Sequence, residues 1–163
     1  MLEPAESEFR IEKRRADAVV TLTNGSPVRG SFFIAGGSPH HDGPERIGDL
    51  LNSEPGFFPF EVHVVGGTRM ALYNRAQVIT VQVFDDEVQR EPAYAIAKRR
   101  LVSLILSNGQ RIEGAVRVYL PEGRNRVSDW TRQTEPFRYI ESAHATLIVN
   151  AAHILAVTEV SGS

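Results

Sequence analysis

Val19-Val20-Thr21-Leu22-Thr23-Asn24-Gly25-Ser26-Pro27-Val28-Arg29-Gly30-Ser31-Phe32-Phe33-Ile34 is an apolar run, an Asn-Gly turn and an apolar return. The chain repeats the pattern in Val102-Ser103-Leu104-Ile105-Leu106-Ser107-Asn108-Gly109-Gln110-Arg111-Ile112-Glu113-Gly114-Ala115-Val116-Arg117-Val118. In both copies a second Gly, Gly30 or Gly114, falls five residues after the turn Gly. An Asn-Gly pair between β-branched runs predicts a β-hairpin. A Gly inside the return strand marks a bulge or a strong bend, as a small barrel needs. Pro27 lacks an N–H, so the first return strand cannot start as a fully bonded central strand.

The repeat continues beyond the hairpin. Asp49 and Asp129 each precede a bulky apolar residue, Leu50 and Trp130, and Phe57 and Phe137 each follow eight residues after the Asp. Phe58, Phe60 and Val62 alternate, which predicts a strand with one buried face, interrupted by Pro59. Gly66-Gly67 predicts a turn. Asn74 and Asn150 each end an apolar run and precede another, which suits a tight corner where Asn adopts left-handed geometry or bonds its own backbone. Each copy is thus read as five short strands. The predicted fold class is all-β: two tandem, small, five-stranded, strongly bent sheets or barrels with short helical turns in the connections. The predicted division is an N-terminal arm over 1–17, a first repeat over 18–84, a linker over 85–100 and a second repeat over 101–160. Within the linker, Asp85-Asp86-Glu87 reads as a solvated acidic run, and Pro92 to Lys98 as one or two helical turns. About 70 residues per copy is small for a separate core, so the copies are expected to pack together or share a sheet.

Composition narrows the chemistry. The 163 residues are 42% hydrophobic and 23% charged, with a formal net charge of −2 and no cysteine. Disulfides, thiolate nucleophiles and zinc–thiolate sites are excluded. Bulk charge gives no attraction for nucleic acid or anionic lipid. No apolar run is long enough to cross a bilayer, and the acidic start is unlike a signal peptide, so the expectation is a cytoplasmic protein with no membrane partner. His40-His41-Asp42 lies in a Gly/Pro loop, and His63, His144 and His153 are scattered, so no metal site is assigned. There is no nucleophile elbow and no phosphate-cradling glycine string. With no nucleophile–base pair evident either, no catalytic residue and no cofactor are assigned, and the chain is not expected to be an enzyme.

The same residues resemble the Sm-like fold superfamily, a small bent five-stranded sheet. Leu22-Thr23-Asn24-Gly25, Val28, Gly30, Asp49 and Asn52 are similar to its first motif, as are Leu106-Ser107-Asn108-Gly109, Ile112, Gly114 and Asp129. Leu72-Tyr73-Asn74-Arg75 to Val83, and Ile148-Val149-Asn150 to Val160, are similar to its second. The chain also resembles bacterial proteins of no assigned activity that carry such a domain singly or in tandem. RNA-binding members of the superfamily form rings and contact RNA through the Asp–Asn loop and the second turn. The resemblance therefore implies Asp49, Asn52, Asn74 and Arg75 as ligand or nucleic-acid contacts, with Asp129 and Asn150 in the second copy.

Read from the residues alone, Asp49 and Asp129 are also suited to capping a helical turn. Arg126 and Trp130, with Arg124, Arg132 and Tyr139 nearby, form the best basic and aromatic cluster, with core packing as the alternative for Trp130. Two functions follow. One is a non-catalytic scaffold or protein-interaction module, engaging a protein partner or a second copy through strand edges. The alternative is RNA or single-stranded nucleic-acid binding.

Overall fold

The computed structural model describes residues 13–36 and 43–160. The His40–Asp42 loop and most of the predicted N-terminal arm lie outside these. The first unit runs β1 (Lys13–Leu22), β2 (Pro27–Ala35), α1 (Ile47–Ser53), β3 (Phe57–Val64), β4 (Gly67–Asn74) and β5 (Val78–Val83). The second runs β6 (Lys98–Leu106), β7 (Arg111–Val118), α2 (Val127–Thr131), β8 (Phe137–Ser142), β9 (Thr146–Asn150) and β10 (Ile154–Glu159).

Both Asn-Gly hairpins form. Gly25 and Gly109 take φ of 89° and 86°. Their N–H groups donate to Leu22 and Leu106 carbonyls at 2.9 Å. Asn24 and Asn108 use their side-chain oxygens to accept from the backbone N–H groups of Ser26 and Gln110. Two strands begin earlier than the sequence reading places them. Lys13-Arg14-Arg15, placed by the sequence reading in the arm over 1–17, is the start of β1, with Lys13 opposite Ala35. Lys98-Arg99-Arg100 belongs to β6, not to a linker, with Lys98 opposite Val118. Outward-facing basic residues on a paired strand leave no apolar alternation by which to recognise it. Before β6, a short 3-10 turn over Glu87–Arg90 is followed by turns in which Ala97 N–H donates to the Ala93 carbonyl at 2.9 Å.

The strands form one ten-stranded antiparallel sheet in the order β10-β6-β7-β8-β9-β5-β1-β2-β3-β4. The all-β class holds. The strands make a single sheet that is not closed into a barrel, so the two copies share a sheet, one of the two packings expected. Its two halves nevertheless have the same internal order: β5-β1-β2-β3-β4 and β10-β6-β7-β8-β9. Register repeats too, since Ala18 faces Gly30 where Val102 faces Gly114, and Phe57 faces Asn74 where Phe137 faces Asn150.

Gly30 and Gly114 sit where the sheet bends. β2 meets β3 only at Gly30–Val62 and Ser31–Glu61, and β7 meets β8 only at Gly114–Ser142 and Ala115–Glu141. A Cβ on Gly30 would overlap the Glu61 carbonyl oxygen and lie 2.6 Å from the Phe60 ring. One on Gly114 would lie 2.6 Å from the Glu141 carbonyl oxygen. Absence of a side chain is what lets the strands cross this closely.

Each half has its own core, and each core takes residues from the other half. Phe32, Phe58 and Phe60 centre the first core, with the Phe32 and Phe60 rings edge to face at 5.0 Å. Phe137 and Ile148, from the second half, belong to this cluster. Leu104, Val116, Trp130 and Ile140 centre the second core, which includes Ile79 from the first half. The joint is the β5–β9 pair, with Val81 opposite Ile148 and Thr80 opposite Val149. No helix among the described residues is long and apolar enough to cross a membrane.

Candidate functional site

α1 and α2 occupy equivalent places, and Asp49 and Asp129 do the same work there. Asp49 Oδ2 accepts the Arg46 backbone N–H at 2.9 Å, and Oδ1 accepts from the Arg46 guanidinium at 2.9 Å. Asp129 Oδ2 accepts the Arg126 backbone N–H at 2.9 Å. A carboxylate in the first turn satisfies an orphan N–H and favours the positive end of the helix dipole. That backbone bond, with Arg126 and Arg132 nearby, holds the Asp129 carboxyl below its ordinary range.

The opposite ends of both helices are closed by arginines from different places in the repeat. Arg75, 5% exposed, donates to the carbonyls of Leu50, Leu51 and Phe57 at 2.8–3.1 Å. Arg138, 9% exposed, donates to those of Trp130, Thr131, Gln133 and Glu135. Each guanidinium lies over an aromatic ring, Phe58 for Arg75 and Trp130 for Arg138. Burial lowers both guanidinium pKa values, partly offset by Glu54 and Glu135.

Asn74 and Asn150 cap the 3-10 turns that follow their strands, accepting from the N–H groups of Ala76 and Ala152 at 3.1 Å. Both keep extended backbone with negative φ. Asn150 also crosses the joint, where its Nδ2 donates to the carbonyls of Arg75 and Val78. Asn52 crosses it as well. Its amide accepts from Phe137 N–H and donates to the Phe137 carbonyl, both at 2.9 Å. Trp130 is 2% exposed and lies in the second core, while the Arg126 side chain is 68% exposed. The eight predicted site residues therefore do not converge on one point. They divide between helix ends, the joint and the second core, and Asp49, Asn52 and Trp130 line one cleft.

A cleft of about 590 Å³ lies between α1 and the second half, lined among others by Arg46, Glu91, Arg117, Tyr119, Trp130 and Glu141. Five of its charged side chains are paired with one another. Arg46 bonds Asp49 and Glu91 at 2.9 Å. Arg117 bonds Glu141 at 3.2 Å and lies 4.0 Å over the Tyr94 ring. Burial lowers the Arg46 pKa, but Asp49 and Glu91 more than offset it and the net shift is upward. Burial pushes the Tyr119 phenol up to about 12.

Glu87, read from sequence as solvated, is 0% exposed. Its carboxylate accepts Ile47 N–H at 3.1 Å and Tyr139 O–H at 2.6 Å, and Tyr139 O in turn accepts Gly48 N–H at 3.1 Å. Burial raises the pKa of both Glu87 and Tyr139. Two acidic neighbours in the chain masked the one carboxylate that turns inward. No group of three or more metal-ligating side chains occurs among the described residues.

The remaining surface feature is at the ends of the sheet. Among the described residues, β4 and β10 are each paired on one side only. Met70 and Leu72 on β4, Phe57 beside it, and Leu155 on β10 are exposed by 53–68%. Compared with known proteins, the chain matches no family model, no curated protein and no solved structure.

Proposed function

We propose that the chain is a non-catalytic protein-interaction module, a scaffold of two divergent Sm-like units fused edge to edge. It acts through the open strands at the two ends of its sheet. One observation carries the reading: β4 and β10 offer a free backbone edge and large apolar side chains together. Edge strands that stay solitary are usually short, charged, kinked or covered. An apolar one is suited to receiving another strand. The internal bonds of Asn52, Arg75 and Asn150 support this reading over nucleic-acid binding, because their polar atoms already have protein partners. The overall charge of −2 supports it too.

The test is sedimentation across micromolar concentrations, comparing the natural chain with the double variant Leu72→Arg/Leu155→Arg. The natural chain is expected to exceed its 18.1 kDa monomer mass, and the variant to remain monomeric. Labelled oligo-U and oligo-A RNA at two salt concentrations should not bind. A chain monomeric throughout, or salt-sensitive RNA binding lost on Arg126→Ala, would overturn the proposal.

A further inference from the structure

We infer that the cleft between α1 and the second half is a binding site for a small organic cation, a planar compound bearing a guanidino or amidino group. The site is separate from the open edges, since no residue of β4 or β10 lines it.

Size and walls come first. The volume of about 590 Å³ falls in the range of small-molecule sites. One wall is α1, with Asn52, and another is the segment between the halves, with Glu91. The third is β7, β8 and the residues after β7, with Arg117, Tyr139 and Tyr119. Asn52 is fixed by its two bonds to Phe137, and Tyr139 by its bond to Glu87. The walls are therefore in place before a ligand arrives, which lowers the cost of binding.

Charge then decides the sign of the ligand. Among the described residues lining the cleft, three are arginines, Arg46, Arg117 and Arg138, and four are acidic, Asp49, Glu91, Glu135 and Glu141. Every side-chain nitrogen of the three arginines already donates to a protein oxygen. The acceptors are less committed. Glu91 bonds Arg46 through Oε2 alone. Among the described residues the Glu135 carboxylate makes no hydrogen bond or ion pair, and the Tyr119 phenol makes no hydrogen bond. The Glu91 charge acts on that phenol, so the two stand at the same end of the cleft. An anion entering there would find engaged arginines beside a surplus carboxylate. A cation would find an open carboxylate oxygen and an aromatic face.

The chain already seats two of its own guanidinium groups here in this way. Arg46 lies 6.0 Å over the Tyr139 ring, with Asp49 and Glu91 at its edge. Arg117 lies 4.0 Å over the Tyr94 ring, with Glu141 at its edge. A cation between a carboxylate and an aromatic face gains from both. Tyr119 and the open oxygen of Glu91 supply a third set of the same parts, and no guanidinium among the described residues lies over Tyr119. A ring face with a carboxylate at its edge suits a planar fork of donors better than a compact ammonium.

The test titrates the natural chain with benzamidine, and with benzamide and benzoate as neutral and anionic molecules of nearly the same shape. Benzamidine is expected to raise Tm with concentration, as a ligand of the folded state must. It should also shift the backbone amide NMR signals of Asn52, Glu91 and Tyr119, and the other two compounds should do neither. Glu91→Gln should weaken benzamidine binding at least tenfold in calorimetry, and Tyr119→Leu at least fivefold. Glu113→Gln, an equal change of charge outside the cleft, should leave it unaltered. The signal shifts need no variant, so they decide the matter even if a substitution unfolds the chain. No effect of benzamidine, equal effects of benzamide or benzoate, shifts confined to residues away from the cleft, or equal weakening by Glu113→Gln would overturn the inference. Each of these outcomes leaves the role of the edge strands standing, since that role is read by sedimentation.

Discussion

Gly30→Ala tests the close crossing that shapes each half of the sheet. The new Cβ would overlap the Glu61 carbonyl oxygen and press on the Phe60 ring. Phe60 is fully buried and cannot rotate away freely, and Glu61 is one of only two residues that pair β3 to β2. Overpacking of a tight core costs about 1–3 kcal/mol. Moving the Glu61 carbonyl also weakens a ladder bond worth about 0.5–1.5 kcal/mol. Against this, alanine lowers the entropy of the unfolded chain by an equivalent of about 0.4–1 kcal/mol. The net loss is about 0.5–4 kcal/mol, which corresponds to a Tm about 1–16 °C lower for a chain of this length. Gly114→Ala, whose nearest carbonyl is 2.6 Å away, should lose less than Gly30→Ala. Gly67, with open space around its Cβ position, should tolerate alanine without loss. Urea and thermal unfolding followed by circular dichroism at low micromolar concentration measure all three. Gly30→Ala as stable as the natural chain, or less perturbed than Gly114→Ala, would show that the crossing does not depend on the missing side chain.

Asn52→Ala leaves the Phe137 N–H and carbonyl without their side-chain partner, and should cost about 1–3 kcal/mol in a urea titration. Ile148→Ala should cost about 2–5 kcal/mol, whereas Leu72→Ala at the equivalent open position should change the dilute monomer by less than about 0.5 kcal/mol. Arg75→Lys keeps the charge but cannot serve three carbonyls with a planar fork, so unfolding should show a loss of about 1–3 kcal/mol. Burial raises the Glu87 pKa, so between its unfolded and folded pKa values the native chain holds a proton that the unfolded chain has released. Its contribution is therefore present in full below the unfolded value and declines as pH rises through the folded one. Glu87→Gln should flatten that decline in urea midpoints taken from about pH 4 to 8, and an unchanged slope would assign it to another group.

The hairpins, the bend glycines and the alternating face of Phe58, Phe60 and Val62 were legible because they depend on neighbours within a few residues. The joint was not. Nothing local distinguishes β9, which finds a strand from the other half, from β4, which has none. Arg75 illustrates the same limit: an Arg after a turn reads as an exposed contact, but its depth depends on carbonyls that α1 supplies from about 25 residues away. Arg138 does the equivalent work from a different strand position, so the repeat itself gave no hint of it. Asp49 and Asp129 were better signalled, since a carboxylate near a helix start has a local reason to be there.

The polar contacts of the internal joint are not all repeated at the ends of the sheet. Arg132, just past the end of α2, stands where Asn52 stands in α1, and Pro59 stands where Tyr139 bonds Glu87. A contact made at the open edges therefore lacks these two latches. Dilution, heat or denaturant acting on an assembly should part it between molecules first, releasing intact ten-stranded subunits.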